Sequence, residues 1–349
     1  MRWVVAAPGP DWSVADVYAG WVEALRQLGE QVTEFDLGTR LAFYDHAFVE
    51  LEQTAPDGSP VFRKAVSGPQ AHELAANGLA AMLFKVRPDW LMVISGFLLG
   101  PELLAAARVA GIRIVVVHTE EPYEVDRELT LGQYANLNLL NDPTHLEAFR
   151  ELGVPVLYCP HAYRPGFHEP GRAVPEYVCD LAFVGTGFGS RRWFLENMTL
   201  DGLDVLLGGN WLGTPTSSPL AKWIGHAAGQ QVDNSETVRI YRSARCGLNL
   251  YRRETTAETP DVMAAGWACG PREIEMAACG LFYLRDHRPE GDELFHMLPT
   301  FTGPEDASEQ LRWWLARPDD RAKAAQQARE ACADRTFVNH ARSLLRLLE

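Results

Sequence analysis

Arg272 and Glu275 stand three residues apart in the stretch Gly270 to Asp286, GPREIEMAACGLFYLRD. On a helix that spacing sets a guanidinium and a carboxylate one above the other. Beside them lie the first amides of the helix, which have no internal partner and carry partial positive charge. Together these groups can hold an anion and a pair of hydroxyls. A second candidate is the run Gly185, Thr186, Gly187, Phe188, Gly189, Ser190, Arg191, Arg192. Alternating glycines let backbone amides approach phosphate oxygens, and Ser190 with the two arginines adds hydrogen bonds and charge. Its spacing is not the dinucleotide fingerprint GxGxxG. For proton transfer the best cluster in the first half is His118, Thr119, Glu120, Glu121 ahead of Pro122, with Glu120 and His118 as equal candidates for a general base. Asp11 is a third, in a loop with Trp12 and Ser13, where Asp11 or Ser13 serves equally well as a helix N-cap.

The elements that must position these residues read as alternating strands and helices. Gly270 suits an N-cap, Pro271 the first helical position and Gly280 the position just past the end, with the apolar run Leu281 to Leu284 following as a strand. Ile274, Ala277 and Ala278 give that helix a small apolar face to lie against a sheet. Arg2 to Ala7 is a strand, Val14 to Leu28 an amphipathic helix, and Gln31 to Phe35 the next strand, a first βαβ unit. Residues 37–68 read as irregular, with a turn at Pro56, Asp57 and Gly58, either an acceptor-binding loop or a surface helix hairpin. Strands over Trp90 to Ser95, Ile112 to His118, Asn136 to Leu140 and Val154 to Cys159 alternate with helices, which predicts a parallel sheet. In open sheets of this kind ligands gather at the carboxyl ends of the strands, which singles out His118 to Tyr123. Residues 158–167, rich in Pro and Gly, mark a linker in which His161 is a further candidate for the ligand crevice, together with Trp12, Ser13 and Gly270. A new strand over Asp180 to Val184 opens a second series of the same kind.

At 349 residues and 47% hydrophobic content the chain is long enough for two domains with separate cores. A net charge of -14 argues against a broad grip on nucleic acid, which needs Lys and Arg to displace counterions. Six cysteines without CxxC pairs read as buried thiols, and no structural zinc site is visible. No apolar run approaches membrane-spanning length and the start MRWVVAAPGP lacks the layout of a secretion signal, so a cytoplasmic protein without membrane insertion is the expectation.

The run Glu275, Met276, Ala277, Ala278, Cys279, Gly280 resembles the nucleotide-sugar signature of GT-B glycosyltransferases, in which a Glu ahead of Cys-Gly holds the ribose hydroxyls. With Arg272 in front and Asp286 behind, it most resembles the CgeB-like, spore-maturation branch found also in actinobacteria and their phages. The segment Tyr158 to Phe167 is similar to that branch's hinge, and the strand Cys246 to Tyr251 to its counterpart beside the nucleotide. The resemblance implies an α/β GT-B fold: two Rossmann-like domains with a deep interdomain cleft and a C-terminal helix crossing back to the first domain. Its layout here would be 1–165 for the acceptor, 166–335 for the donor and 336–349 for the crossing helix. It further implies transfer of a sugar from a nucleotide-diphosphate sugar, most simply a UDP-sugar, with no metal and no separate cofactor. Donor contacts would come from Gly185, Gly187, Gly189, Ser190, Arg191, Arg192, Asn249, Arg252, Arg272 and Glu275. The acceptor stays open among a protein, a modified DNA base, a glycan and a small molecule. Many retaining relatives carry a second Glu eight residues before the ribose Glu, and Trp267 stands there instead, so the stereochemical outcome is open too. The rival readings are a nucleotide-sugar 2-epimerase on the same scaffold and a non-catalytic module that binds nucleotide sugars or proteins.

Overall fold

The computed structural model describes residues 1–9, 14–226, 229–254 and 266–349; Asp11, Trp12 and Ser13 lie outside the described residues. The chain divides into two compact units. Residues Met1–Glu120, Val125–Leu140 and Leu146–Leu157 form the first, and Glu121–Glu124, Asn141–His145 and Tyr158–Glu349 the second.

The first unit runs β1 (Arg2–Ala6), α1 (Ala15–Gln27), β2 (Gln31–Phe35), α2 (Leu37–Asp45), β3 (Phe48–Thr54), β4 (Pro60–Lys64), α3 (Gly68–Val86), β5 (Trp90–Ile94), α4 (Pro101–Val109), β6 (Arg113–His118), α5 (Val125–Gly132), β7 (Leu137–Leu140), α6 (Leu146–Glu151) and β8 (Val156–Tyr158). Six strands make one sheet in the order β2-β1-β5-β6-β7-β8. Its registered pairs from β2 to β7 are parallel. The continuous apolar runs are explained by that geometry: helices cover both faces of a parallel sheet, so every residue of β5 is buried.

Residues 37–68 are regular, contrary to the expectation of an irregular insertion. Asp36 caps α2 by accepting the Thr39 amide at 2.9 Å, and β3 and β4 pair antiparallel around the turn at 55–59. The hairpin's faces mix Phe48 and Phe62 with Glu50 and Lys64, so no clean alternation announces the strands.

The second unit runs β9 (Leu181–Val184), α7 (Gly189–Glu196), β10 (Val205–Gly208), α8 (Asn234–Ser243), β11 (Gly247–Asn249), α9 (Pro271–Ala278), β12 (Tyr283–Arg285), α10 (Pro289–Leu294), α11 (Pro304–Leu315), α12 (Pro318–Ala331) and α13 (Phe337–Leu348). Its sheet is parallel throughout, in the order β10-β9-β11-β12. Chain order reverses between β9 and β11, and such switch points are where open α/β sheets bind ligands. The core joins Phe183, Leu248 and Leu284 from the strands with Ile274, Met276 and Ala277 from α9 and Ala324 and Ala328 from α12. α13 belongs to this unit; Tyr163 ties its start by donating its amide to Arg335 and accepting that of Phe337.

Candidate functional site

α9 has the ends expected of it. Gly270 is the N-cap, Pro271 the first helical residue, and Gly280 sits at φ +75°, the left-handed position that ends a helix. Ile274, Ala277 and Ala278 are buried, leaving Arg272 and Glu275 on the half-buried face.

Arg272 spans the switch point of the sheet. Its Nε donates to the carbonyl of Val184, the last residue of β9, at 2.7 Å, and its Nη1 to Oδ1 of Asn249, the last residue of β11, at 2.9 Å. The guanidinium lies over the Phe183 ring at 5.0 Å. A Cβ at Gly185 would come within 2.5 Å of Arg272 Nη2, so the glycine admits the arginine. Glu275 is one turn further on, beside Tyr241, whose phenol is pushed up first by burial and then by the Glu275 carboxylate.

Other expected contacts are placed differently. The amides of Gly185 and Gly187 donate to Gly208 and Asn210 carbonyls, at 3.0 and 2.7 Å. A Cβ at Gly187 would strike the Trp211 ring at 2.4 Å, so this glycine is required by packing. At Gly189 and Ser190 the start of α7 is filled internally: Glu254, 6% exposed, accepts the Ser190 amide at 2.6 Å and its hydroxyl at 2.7 Å. Arg191 is buried, donating to the Thr186 and Leu250 carbonyls at 3.0 Å. Burial, with Arg272 beside it, disfavours its charge. Arg192 donates to the Gly187 carbonyl at 2.7 Å. The arginines thus brace the loop, and within this unit more guanidinium groups stand at the strand ends than the sequence reading foresaw.

Arg252 lies over Tyr123 at 4.1 Å and Arg288 over Tyr251 at 4.2 Å. Tyr123 joins them, donating its hydroxyl to the Arg252 carbonyl at 3.2 Å and accepting Arg288 Nη2 at 3.0 Å. Arg253 Nη2 reaches both oxygens of Asp286, at 2.9 and 3.0 Å. A cavity of about 250 Å³ opens among Ser190, Arg191, Tyr251, Arg253, Asp286 and Phe301. Arg253, Glu254 and Arg288 escaped the sequence reading because nothing local distinguishes them from surface residues, and Tyr123 was legible only as the end of the segment His118 to Tyr123.

Between Arg272 and Glu275 sits Glu273, fully buried. One oxygen accepts the Tyr251 hydroxyl and, at 3.4 Å, the Gly270 amide. Burial raises its carboxyl to about 7. A Glu at the third helical position is a capping signal legible in the sequence. Trp267 has its amide held by Asp142 Oδ2 at 2.9 Å and its ring edge-on to Tyr158.

In the first unit His118 is fully buried, bonded through Nε2 to Asn138 Oδ1 at 2.8 Å and packed edge-on against Phe149. Burial lowers its pKa to about 4, so it is a neutral core residue. Glu120 is half-buried, its amide donating to Glu128 at 3.0 Å. In the second unit His161 is 9% exposed and accepts the Asn141 side-chain amide at 2.8 Å; burial lowers it to about 4.

The fold is of the GT-B type, two Rossmann-like units, on the following likenesses. The chain matches sucrose-phosphate synthase from Thermosynechococcus elongatus with a TM-score of 0.66 at 13% identity, over 100% of this chain and 99% of that one. The trehalose-6-phosphate protein from E. coli bound with UDP-2-fluoro glucose gives 0.61 at 12%, over 100% and 99%. A protein described as a UDP-N-acetylglucosamine 2-epimerase from Listeria monocytogenes gives 0.58 at 13%, over 99% and 95%. At these identities the likeness is one of fold. Residues 191–346, from within α7 to within α13, match the model of the family described as Glycosyl transferase-like. Comparison with curated proteins gives no match.

Proposed function

We propose that this protein is a glycosyltransferase that moves a sugar from a UDP-sugar to an acceptor nucleophile, in the manner of the CgeB-like branch that its α9 sequence resembles. The observation that carries the reading is Arg272, bridging the carboxyl ends of β9 and β11 at the switch point, with Glu275 one turn along the same helix. In this reading the second unit holds the donor and the first presents the acceptor. Arg272, with Arg252 and Arg288 near the same strand ends, offsets the charge that develops on the leaving diphosphate, a role filled without a metal ion. Glu275 accepts hydrogen bonds from the ribose hydroxyls. The acceptor's proton passes to a side chain of the loops that follow β6 and β7. The likeness to a protein bound with a UDP-sugar supports uridine as the nucleotide.

The test is a titration of the full chain with UDP, GDP, ADP and a set of UDP-sugars, read by calorimetry and by the rise in melting temperature. UDP and at least one UDP-sugar should bind. Glu275→Ala should weaken them about tenfold, or about 1.4 kcal/mol. Unaltered affinity in that variant, or no nucleotide binding in the wild type, would refute the assignment. Incubation with donor alone identifies the products, and a C2-epimerised nucleotide sugar would transfer the reading to an epimerase.

A further inference from the structure

The loops after β6 and β7 carry an arrangement that the sequence reading did not foresee. His118 of β6 pairs with Leu140 of β7, so two adjacent parallel strands end at the same level. Beyond those ends Glu121 and His145 meet, with His145 Nδ1 2.6 Å from Glu121 Oε2. The Glu121 side chain is fully buried while that of His145 is 33% exposed. A buried carboxylate bonded to one nitrogen of a partly exposed imidazole fixes the tautomer: Nδ1 carries the proton and donates it to Glu121, and Nε2 keeps its lone pair.

Residues Glu121–Glu124 and Asn141–His145 of these loops belong to the second unit and are tied to the residues that border its candidate site. Two residues after Glu121, Tyr123 contacts Arg252 and Arg288. Three residues before His145, Asp142 Oδ2 accepts the amides of Trp267 and Ala268, each at 2.9 Å, just ahead of α9. The Asp142 carboxylate is committed to these amides and to that of Thr144, which leaves Glu121 as the anion bonded to His145.

We propose that Glu121 and His145 are the proton-accepting pair of this enzyme, with His145 Nε2 as the base and Glu121 as its positioning residue. This rests on the glycosyltransferase reading above. The acceptor oxygen bonds to the anomeric carbon and its proton moves to Nε2. The bond from that carbon to the diphosphate oxygen breaks, its electron pair leaving with the nucleotide diphosphate. The imidazolium that forms is held by the Glu121 carboxylate. A single displacement inverts the anomeric configuration.

The test uses the full chain, with water as the acceptor and the UDP-sugar that binds best. His145→Asn should keep its affinity for UDP and lose 10² to 10⁴-fold in donor hydrolysis, the span of general-base catalysis. Wild-type rate should rise with pH along a limb that vanishes in the variant. Glu121→Gln should lower the rate and shift the limb to lower pH, because the charge that stabilises the imidazolium is gone. Proton NMR of the released sugar should show inversion. Nitrogen-15 NMR of His145 should show the Nδ1–H form in the wild type whether or not donor is present. A His145→Asn enzyme that binds UDP and keeps its rate, retention at the anomeric carbon, or an Nε2–H tautomer overturns the dyad alone. A wild type that binds no nucleotide sugar overturns the glycosyltransferase reading and the dyad with it.

Discussion

Glu273→Gln is the substitution whose consequence follows most directly from the geometry. The carboxyl is fully buried beneath α9, with its hydrogen bonds coming from Tyr251 and Gly270. Burial raises it from 4.5 to about 7, although the Tyr251 hydroxyl and the Arg285 charge pull the other way. The folded protein therefore binds this proton more tightly than the unfolded chain does. The stability it confers is fully present below pH 4.5 and is lost as pH rises through 7. The interval from 4.5 to about 7 corresponds to about 3 kcal/mol at 1.36 kcal/mol for each tenfold change in proton affinity. Glutamine keeps the shape and stays neutral, so the variant should escape that loss. Urea denaturation at pH 5 and pH 8, wild type beside variant, measures it. At pH 5 the two should lie within about 1 kcal/mol, the worth of an altered hydrogen bond. At pH 8 the variant should gain by about 2 to 3 kcal/mol relative to that comparison. A difference between the two proteins that does not change with pH would refute the reasoning, because it would mean that Glu273 ionises in the fold as readily as in the unfolded chain.

Two further outcomes are expected. His118, lowered to about 4 by burial, stabilises the fold above pH 6.5 and loses that contribution as pH falls from 6.5 towards 4, so His118→Gln should blunt acid unfolding over that window by up to about 3 kcal/mol, read by circular dichroism against pH. Gly209 sits at φ +98° with its absent Cβ 2.5 Å from the Gly185 carbonyl oxygen, whereas at Gly185 the nearest atom is the movable end of Arg272. Gly209→Ala should thus cost more than Gly185→Ala, on the order of 2 kcal/mol or above from backbone strain alone, while Gly185→Ala should instead displace Arg272 and weaken UDP binding; melting curves with and without UDP separate the two.

The elements legible in the sequence were those whose signals are local. Gly270, Pro271 and Gly280 mark the ends of α9, and the apolar runs of β1, β5, β6 and β9 announce buried parallel strands. α5 and α10 carry no comparable signal and passed unread, as did the hairpin of β3 and β4. At the site, Arg272 and Glu275 were legible because one helical turn relates them. The loop glycines were legible as glycines but not in their role: Gly187 makes room for Trp211, a ring 24 residues away. His118 looked like a base because it ends a strand; its burial depends on Asn138 and Phe149, which no spacing predicts.

The chain's own order of apolar runs, caps and turns thus determined two successive αβ series and the helix that bears Arg272 and Glu275, because such signals act over a few residues and need no partner. Tertiary structure decided the rest. It brought Glu121 to His145 across 24 residues and Tyr123 to Arg252 across 129, and it filled the start of α7 with Glu254. The contacts of Glu121 with His145 and of Glu254 with α7 exist because parallel strands of one sheet deliver their carboxyl-terminal loops to one edge, and which side chains meet there is set by strand order, which one-dimensional patterning does not encode.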